Sequence, residues 1–238
     1  MNSSQIDPTQ AVSDATYRPI APAWHTAVVL FVMLGFSLLS VFAKDATVLP
    51  RLGQYLLVMV VEWSMVAFIW HGIRGRSVRL SDLIGGSWAR PLAVLRDLGL
   101  AIAFVLVCGG GVLQGLGHLL KVTPNRALHN IIPQSPTEIV VWIVLSLTAG
   151  FCEEVIFRGY LRRQFAALTR SAAGGIVLQG IAFGAGHGYQ GWKYMLLIAV
   201  YGTLFGLLAQ WRRSLRPGML GHALQDGVVG ILARRLMN

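Results

Sequence analysis

Two adjacent glutamates at the end of an apolar stretch are the feature that most limits how this chain can fold. Glu153 and Glu154 directly follow residues 139–152, which include no charged side chain. A carboxylate surrounded by hydrocarbon is costly, and two neighbouring carboxylates also repel each other. Such a pair therefore needs either a neighbouring cation or a functional site that uses its charge.

Arg158 can supply the cation for one of the two glutamates. It lies four residues after Glu154, so both share one helical face in the favourable acid-before-base order. Glu153 lies about 100° further round the helix and has no local partner. An unpaired carboxylate at membrane depth is a candidate catalytic base, although a solvated helix end is the plainer interpretation of the same residues.

The composition of the whole chain is that of a membrane protein. Of its 238 residues, 55% are hydrophobic and only 13% are charged, and the mean hydropathy is +0.60. These values indicate a chain that lies in a lipid bilayer. The net charge of +10 does not indicate nucleic acid, because the arginines cluster at the ends of apolar stretches and form no single basic face.

Apolar stretches of about 20 residues are long enough to cross a bilayer as helices. We therefore predict an all-α, polytopic transmembrane helical bundle with about seven spans, within a range of six to eight. The predicted spans cover residues 24–43, 55–70, 98–120, a stretch from about 138, 176–187, 194–211 and 217–232. Ser135 or Thr137 is expected to cap the fourth span. Residues 72–97 are expected to form a surface loop with a short interfacial helix.

The distribution of basic residues predicts how the chain is oriented. With the N-terminus in the cytosol, the inner loops hold twelve arginines and the outer loops hold five basic residues. This bias follows the positive-inside rule. We therefore predict an integral, multi-pass protein of the cell (inner or plasma) membrane with a cytosolic N-terminus.

Two later spans carry polar side chains to membrane depth. The fifth span ends at His187, and the seventh carries His222 and Asp226, which share a helical face because they are four residues apart. If the fourth and fifth spans form an antiparallel pair that turns near residue 170, Glu153 and His187 lie at the same depth. One carboxylate and two imidazoles from three helices could then hold and deprotonate a water molecule.

The same three side chains are also a possible metal site. Glu153, His187 and His222 could bind Zn²⁺ or another divalent metal, although the site could equally work with none. Plainer alternatives also stay open, because a histidine in a membrane helix often only bonds a neighbouring helix. Asp226 could likewise serve only to orient His222.

Three further polar residues lie in or near the spans without any pattern that groups them with a site. They are Glu62, His71 and His118, and packing or interfacial roles are predicted for them.

Three motifs carry a resemblance to a known family. They are Glu153-Glu154-Val155-Ile156-Phe157-Arg158, Phe183-Gly184-Ala185-Gly186-His187 and His222-Ala223-Leu224-Gln225-Asp226. In this order they resemble the CAAX protease and bacteriocin-processing family of intramembrane endopeptidases, also called Abi proteins. That family includes the type II CAAX prenyl endopeptidases. The resemblance covers residues 151–226, the last third or so of the chain.

The resemblance implies a role for each motif residue. Glu153 would be the general base that activates water, and His187 would position the water or stabilise the oxyanion. His222 would complete this pocket together with Asp226. The supporting residues would be Glu154, Arg158, Phe183 and Asp226, of which the first two would form a structural or tuning pair.

Two positions depart from the pattern of the prenyl-processing members. Asp226 stands where those members typically have Asn, and an ionised Asp cannot donate a hydrogen bond to an oxyanion. Gly191 stands where they often have a second Asn, four residues after His187. Because of these two departures, the resemblance leaves open whether the substrate is prenylated.

Taken together, the sequence predicts three segments: a disordered cytosolic tail (1–23), N-terminal transmembrane helices with a basic cytosolic loop near 72–97 (24–135), and a catalytic transmembrane core (136–238). The active site is expected among the last four helices. The predicted function is hydrolysis of a peptide bond in a membrane-associated protein or peptide.

Two rival functions remain at this stage, and the sequence does not indicate an oligomeric state. One is a non-catalytic immunity or scaffold protein of the same family. The other is a proton-coupled transporter with Glu62, Glu153 and Asp226 as a relay, against which the lack of an internal repeat counts.

Overall fold

The described part of the chain is entirely helical in its regular secondary structure. A computed structural model describes residues 17–42, 49–123 and 130–237, with side chains up to residue 232. Within these ranges eight helices follow one another: α1 (Ala23–Phe42), α2 (Arg51–Arg74), α3 (Leu80–Ile84), α4 (Pro91–Leu119), α5 (Pro136–Thr169), α6 (Ala172–Ala185), α7 (Trp192–Arg212) and α8 (Arg216–Met237). The predicted all-α class is confirmed, and most of the predicted tail, 1–23, lies outside the described residues.

Five of the described helices have the length and composition of membrane spans, namely α1, α2, α4, α5 and α7. The apolar helix α6 is shorter, with 14 residues, and α8 has 22. Large apolar side chains such as Phe31 and Leu92 point outward, with 78% and 76% of their surface exposed. A surface of this kind is suited to lipid.

Helix α5 begins with the predicted cap. The Ser135 hydroxyl accepts a hydrogen bond from the Glu138 amide at 3.1 Å, and the Glu138 carboxylate accepts one from the Ser135 amide at 3.1 Å. This reciprocal pair is a capping box, which satisfies two amides that the helix itself cannot use. Pro136 in the first turn adds to the same start signal.

Helices α4 and α5 each widen into a π-helical segment, Val105–Leu113 in α4 and Glu154–Leu161 in α5. Segments of this kind often lie at functional sites. The glycines of α4 therefore do not break it, and Gly109 instead lies against α8. A Cβ atom on Gly109 would be 2.8 Å from the Gln225 side-chain oxygen.

Helix α5 lies at the centre of the bundle, where it packs against α2, α6 and α8. The approach of α8 is especially close, because a Cβ atom on Gly150 would lie 2.7 Å from the Met219 carbonyl oxygen. Glycine permits this contact between the two backbones. The contact brings the first turns of α8 alongside the Glu153–Glu154 pair.

The predicted surface loop is shorter than expected. It contains the predicted short helix as α3, but α4 begins at Pro91 and not near residue 98. Asp97 can lie inside this helix because its carboxylate, only 2% exposed, accepts hydrogen bonds from Arg96 and Trp88 at 3.0 and 2.9 Å. The charge that suggested a loop is neutralised by its neighbours.

Candidate functional site

The Glu154–Arg158 pair forms the buried base of the site. Both side chains are completely buried, and the Arg158 Nη1 atom is 3.1 Å from the Glu154 Oε1 atom. The Arg158 guanidinium also lies over the rings of Phe183 and Phe205, at 4.2 and 4.9 Å. Charges this deeply buried persist only when they are paired. The contact that the four-residue spacing of Glu154 and Arg158 predicts is therefore present.

His222 joins both glutamates of the pair. Its Nδ1 atom donates a hydrogen bond to the Glu154 Oε1 atom at 3.2 Å. On the other side of the ring, Nε2 lies 3.4 Å from the Glu153 Oε2 atom and 3.5 Å from the Asp226 Oδ2 atom. Both ring nitrogens thus face carboxylates, which favours a ring that donates from both sides.

Glu153 has a buried acceptor atom beside His222 that no hydrogen bond satisfies, as do Glu154 and Glu62. Its side chain is 18% exposed, and its Oε2 atom is buried without a hydrogen-bond partner. A buried carboxylate oxygen in this state needs an explanation, because nearly all such atoms are satisfied in folded proteins. A water or substrate group beside Glu153 would supply the missing donor.

His187 lies beside this cluster, just beyond the end of α6. The spacing had predicted that the span reaches His187, but the helix ends at Ala185. The His187 Nδ1 atom donates to the Phe183 carbonyl oxygen at 2.8 Å, so the Nε2 atom keeps a free lone pair. The Phe183 ring lies between the two histidines, with its centroid 4.8 Å from that of His187 and 5.9 Å from that of His222.

Among the described contacts, His187 makes no hydrogen bond or ion pair with Glu153. The His187 ring lies within electrostatic range of Asp226 without a hydrogen bond to it. The structure therefore brings His222 against Glu153, whereas the contacts of His187 are with Phe183 and Tyr189.

Glu62 lies beside the cluster, although the sequence had grouped it with Glu153 only in the alternative of a proton relay. Helix α2 packs on α5, where Trp63 and Phe151 stack with 5.4 Å between their ring centroids. This places the Glu62 carboxyl, with the residue only 7% exposed, next to that of Glu153. Two carboxyls this close repel each other unless one of them carries a proton.

The signal for Glu62 was present in the sequence, since it is an unpaired acid inside an apolar span. The spacing of residues along α2, however, does not show which side chain of another helix Glu62 faces. His71 and His118 are both exposed and lie outside the cluster, as predicted.

Tyr189 is a second residue that the motifs did not include. It lies in a short turn after His187, with 6.2 Å between the two ring centroids. Burial, together with the nearby carboxyl groups of Glu153, Asp226 and Glu62, raises the pKa of Tyr189 to about 12. The hydroxyl therefore keeps its proton and can donate a hydrogen bond. Nothing in the sequence distinguishes this tyrosine from any other aromatic residue in a loop.

The predicted metal set does not fit the observed arrangement of side chains. Within the described residues, no three or more His, Cys, Asp or Glu side chains form a group that could hold a metal ion. His222 is the reason, because both of its ring nitrogens face carboxylates, whereas a metal ligand must offer a free lone pair. Glu153, His187 and His222 therefore do not form a three-ligand site as they lie.

The helices and the cluster together define a multi-pass membrane protein with a polar site of carboxylates and histidines inside the bundle. Residues 135–228 match the family model described as Rce1-like, type II CAAX prenyl endopeptidase Rce1-like. The match suggests the fold of a CAAX-type intramembrane protease for this segment, in agreement with the resemblance in the motifs. The match covers less than half of the chain and leaves out α1 to α4.

A search of curated proteins finds no match, and a search of solved structures also finds none.

Proposed function

We propose that this protein is an intramembrane endopeptidase that hydrolyses a peptide bond in a membrane-associated protein or peptide. The observation that carries this proposal is the buried, unsatisfied Oε2 atom of Glu153, 3.4 Å from His222, inside a segment that matches a protease family. A carboxylate with an open acceptor site and a neighbouring imidazole is suited to remove a proton from water.

In the proposed reaction, a water molecule lies between the Glu153 carboxylate and the Nε2 atom of His187. Glu153 takes one proton of this water while its oxygen bonds to the scissile carbonyl carbon. The carbonyl oxygen becomes negatively charged, and the protonated Tyr189 hydroxyl donates a hydrogen bond to it. The C–N bond then breaks, and the proton held by Glu153 passes to the leaving amine.

The remaining cluster residues orient the base. His222 holds Glu153 from one side and Glu154 from the other, and Arg158 compensates the charge of Glu154 in the bundle interior. Asp226 accepts from His222 and keeps its ring in place. Glu62, on a helix outside the matched segment, orients the Glu153 carboxyl by sharing a proton with it.

The scheme uses no metal, because the predicted ligands do not form a fitting set. Elemental analysis of the purified protein measures its metal content, and activity assays with and without a chelator show whether cleavage depends on a metal. We also propose that the chain lies in the cell membrane with its N-terminus in the cytosol, since the arginine-rich loops lie at one end of the bundle.

The decisive experiment compares Glu153→Gln with the wild type in a cleavage assay on detergent-purified protein. The substrates are a prenylated CAAX peptide, its unprenylated form and a mixture of apolar peptides. General-base catalysis contributes about 10²- to 10⁴-fold, so we expect Glu153→Gln to lose at least that much of kcat while its thermal unfolding stays the same.

Glu138→Gln is the matched control, because it makes the same change in the same helix and Gln also serves in a capping box. It should cleave as the wild type does. Wild-type turnover by Glu153→Gln would remove this base from the mechanism. If the wild type cleaves none of these substrates, and cells that carry Glu153→Gln behave as wild-type cells do, the non-catalytic scaffold is favoured instead.

A further inference from the structure

A basic cavity lies at the arginine-rich end of the bundle, apart from the carboxylate–histidine cluster. It has a volume of about 250 Å³, and Arg162, Arg163 and Arg213 line it together with Gln210 and Ser214. No acidic side chain lines it. Arg162 is nine residues beyond Glu153 on α5, which corresponds to about 14 Å along the helix axis.

The arginines in this cavity have less counter-charge than Arg212 beside them. Arg212, just before the turn, lies 3.8 Å from the Asp97 carboxylate, and Arg216 lies over the Trp88 ring. Among the described residues, the three cavity arginines form no ion pair. Asp82 is the acid that acts on Arg163, but its carboxylate accepts a hydrogen bond from the Arg79 amide.

Neutral groups hold part of this cavity in place. The Arg162 Nε atom donates to the Arg158 carbonyl oxygen at 2.9 Å, and its Nη1 atom donates to the Gln210 side chain. These contacts fix the guanidinium without neutralising it. Three positive charges around one cavity repel each other unless an anion lies between them.

The wall formed by residues 213–215 is also held by the backbone. The Leu215 amide donates to the Ile84 carbonyl oxygen at 2.7 Å. Arg213 has a left-handed backbone, with φ of +49°, at a helix C-terminus where glycine is the usual residue. An arginine in this conformation is disfavoured, yet it is the residue that adds a third positive charge to the cavity.

Exposed tryptophans mark the level of the membrane surface at this end. Trp70, Trp88 and Trp211 are 46%, 38% and 67% exposed, respectively. Each contacts an arginine: the guanidinium carbons of Arg74, Arg216 and Arg212 lie 4.5, 4.8 and 5.4 Å from the three ring centroids, in that order. Tryptophans are enriched where the hydrocarbon meets the head groups. This position of the tryptophans favours a head-group level for the end of the bundle that holds the cavity.

We propose that this cavity binds the phosphate group of an anionic phospholipid. Guanidinium groups bind phosphate through paired hydrogen bonds, and basic pockets between membrane helices bind lipid head groups. The apolar side chains of Leu83 and Leu215 complete the lining. This site is separate from the proposed protease site, and either proposal can fail without the other.

The test measures lipid binding to the full chain, purified in detergent, by native mass spectrometry with phosphatidylglycerol or phosphatidylcholine. The cavity variant combines Arg162→Gln, Arg163→Gln and Arg213→Gln. The control variant combines Arg76→Gln, Arg79→Gln and Arg90→Gln, which removes the same charge from exposed arginines of the preceding loop.

The wild type and the control should both prefer phosphatidylglycerol. The cavity variant should bind it about a hundredfold more weakly, because each interfacial arginine contributes about fivefold. Equal losses in the cavity and control variants would show that only net charge matters and would overturn the proposal. The absence of a preference in the wild type would overturn it as well.

Arg213→Gly keeps the proposal testable if the cavity variant unfolds. Glycine suits the left-handed backbone at this position, so the thermal stability should not fall, whereas phosphatidylglycerol binding should weaken about fivefold. Unchanged binding by Arg213→Gly would refute the proposal. Inorganic phosphate is titrated against lipid-free protein in parallel. If it alone raises the Tm of the wild type as much as phosphatidylglycerol does, the cavity binds a soluble anion, and the lipid is excluded.

Discussion

The two halves of this bundle differ in how strongly their sequences are constrained. In the most apolar window of α4 only 11% of residues are buried, and in those of α1 and α2 22% are, against 44% in that of α5. The first helices therefore mainly face lipid, which requires little more than apolar side chains. Helix α5 packs against several other helices while Val140 and Leu147 still point outward, and its buried polar groups need specific partners.

The family match begins at residue 135 and covers α5 to α8 up to residue 228. Within that segment Glu154, Arg158 and His222 are buried and bound to one another, so changing one leaves another without a partner. The first helices nevertheless touch the core through a few polar contacts. His25 of α1, for example, hydrogen-bonds the Tyr160 hydroxyl at 2.8 Å.

The largest effect on stability should come from breaking the buried ion pair. Arg158→Met removes the cation and leaves Glu154 charged inside the bundle, which should destabilise the protein by about 3 to 5 kcal/mol. Thermal unfolding in detergent measures this. The double variant with Glu154→Gln should recover part of the loss, since no unpaired charge then remains.

Arg96→Met is the matched change in the first half of the bundle. The Arg96 side chain is 54% exposed, and Asp97 keeps Arg212 nearby, so a loss of less than about 1 kcal/mol is expected. If Arg96→Met destabilises the protein as much as Arg158→Met does, the two halves do not differ in the way described above.

A smaller effect, on catalysis only, should follow from Tyr189→Phe. This change removes the hydroxyl and keeps the ring, so kcat should fall by about 10²-fold, as it does when one oxyanion donor is lost. The apparent KM and the Tm should change little. Tyr194→Phe, at the start of α7, is the control and should leave kcat unchanged. If kcat is unaffected in Tyr189→Phe, the oxyanion donor is a different group.

The smallest effect should come from Glu62, which belongs to the first, lipid-facing half of the bundle and lies next to Glu153. Glu62→Leu should lower kcat by about tenfold, since the carboxyl only positions the base. Glu62→Gln should retain most of the activity, because its amide can still donate to Glu153. Steady-state kinetics with His71→Gln as control would check both. Equal activity in Glu62→Leu and the wild type would confine the site to the matched segment.

Much of the fold could be predicted from local patterns. Hydropathy and length indicated the helices, and Ser135 with Glu138 marked the start of α5, because both signals depend on neighbouring residues only. The spacing of four residues likewise placed Arg158 beside Glu154, and Asp226 beside His222. The start of α4 was missed because the charge of Asp97 is compensated by Trp88 and Arg96 through folding, which hydropathy does not include.

The site could be predicted only in part for the same reason. A sequence contains the residue types and their spacing along each helix, and these predicted a site with Glu153 and His222, which the structure places 3.4 Å apart. Which helix packs against which face depends on the packing of the whole bundle. Tertiary structure alone placed Glu62 next to Glu153, put Phe183 between the histidines and left Arg162, Arg163 and Arg213 around one cavity. Contacts between helices depend on side-chain shape across distant segments, and no local pattern records them.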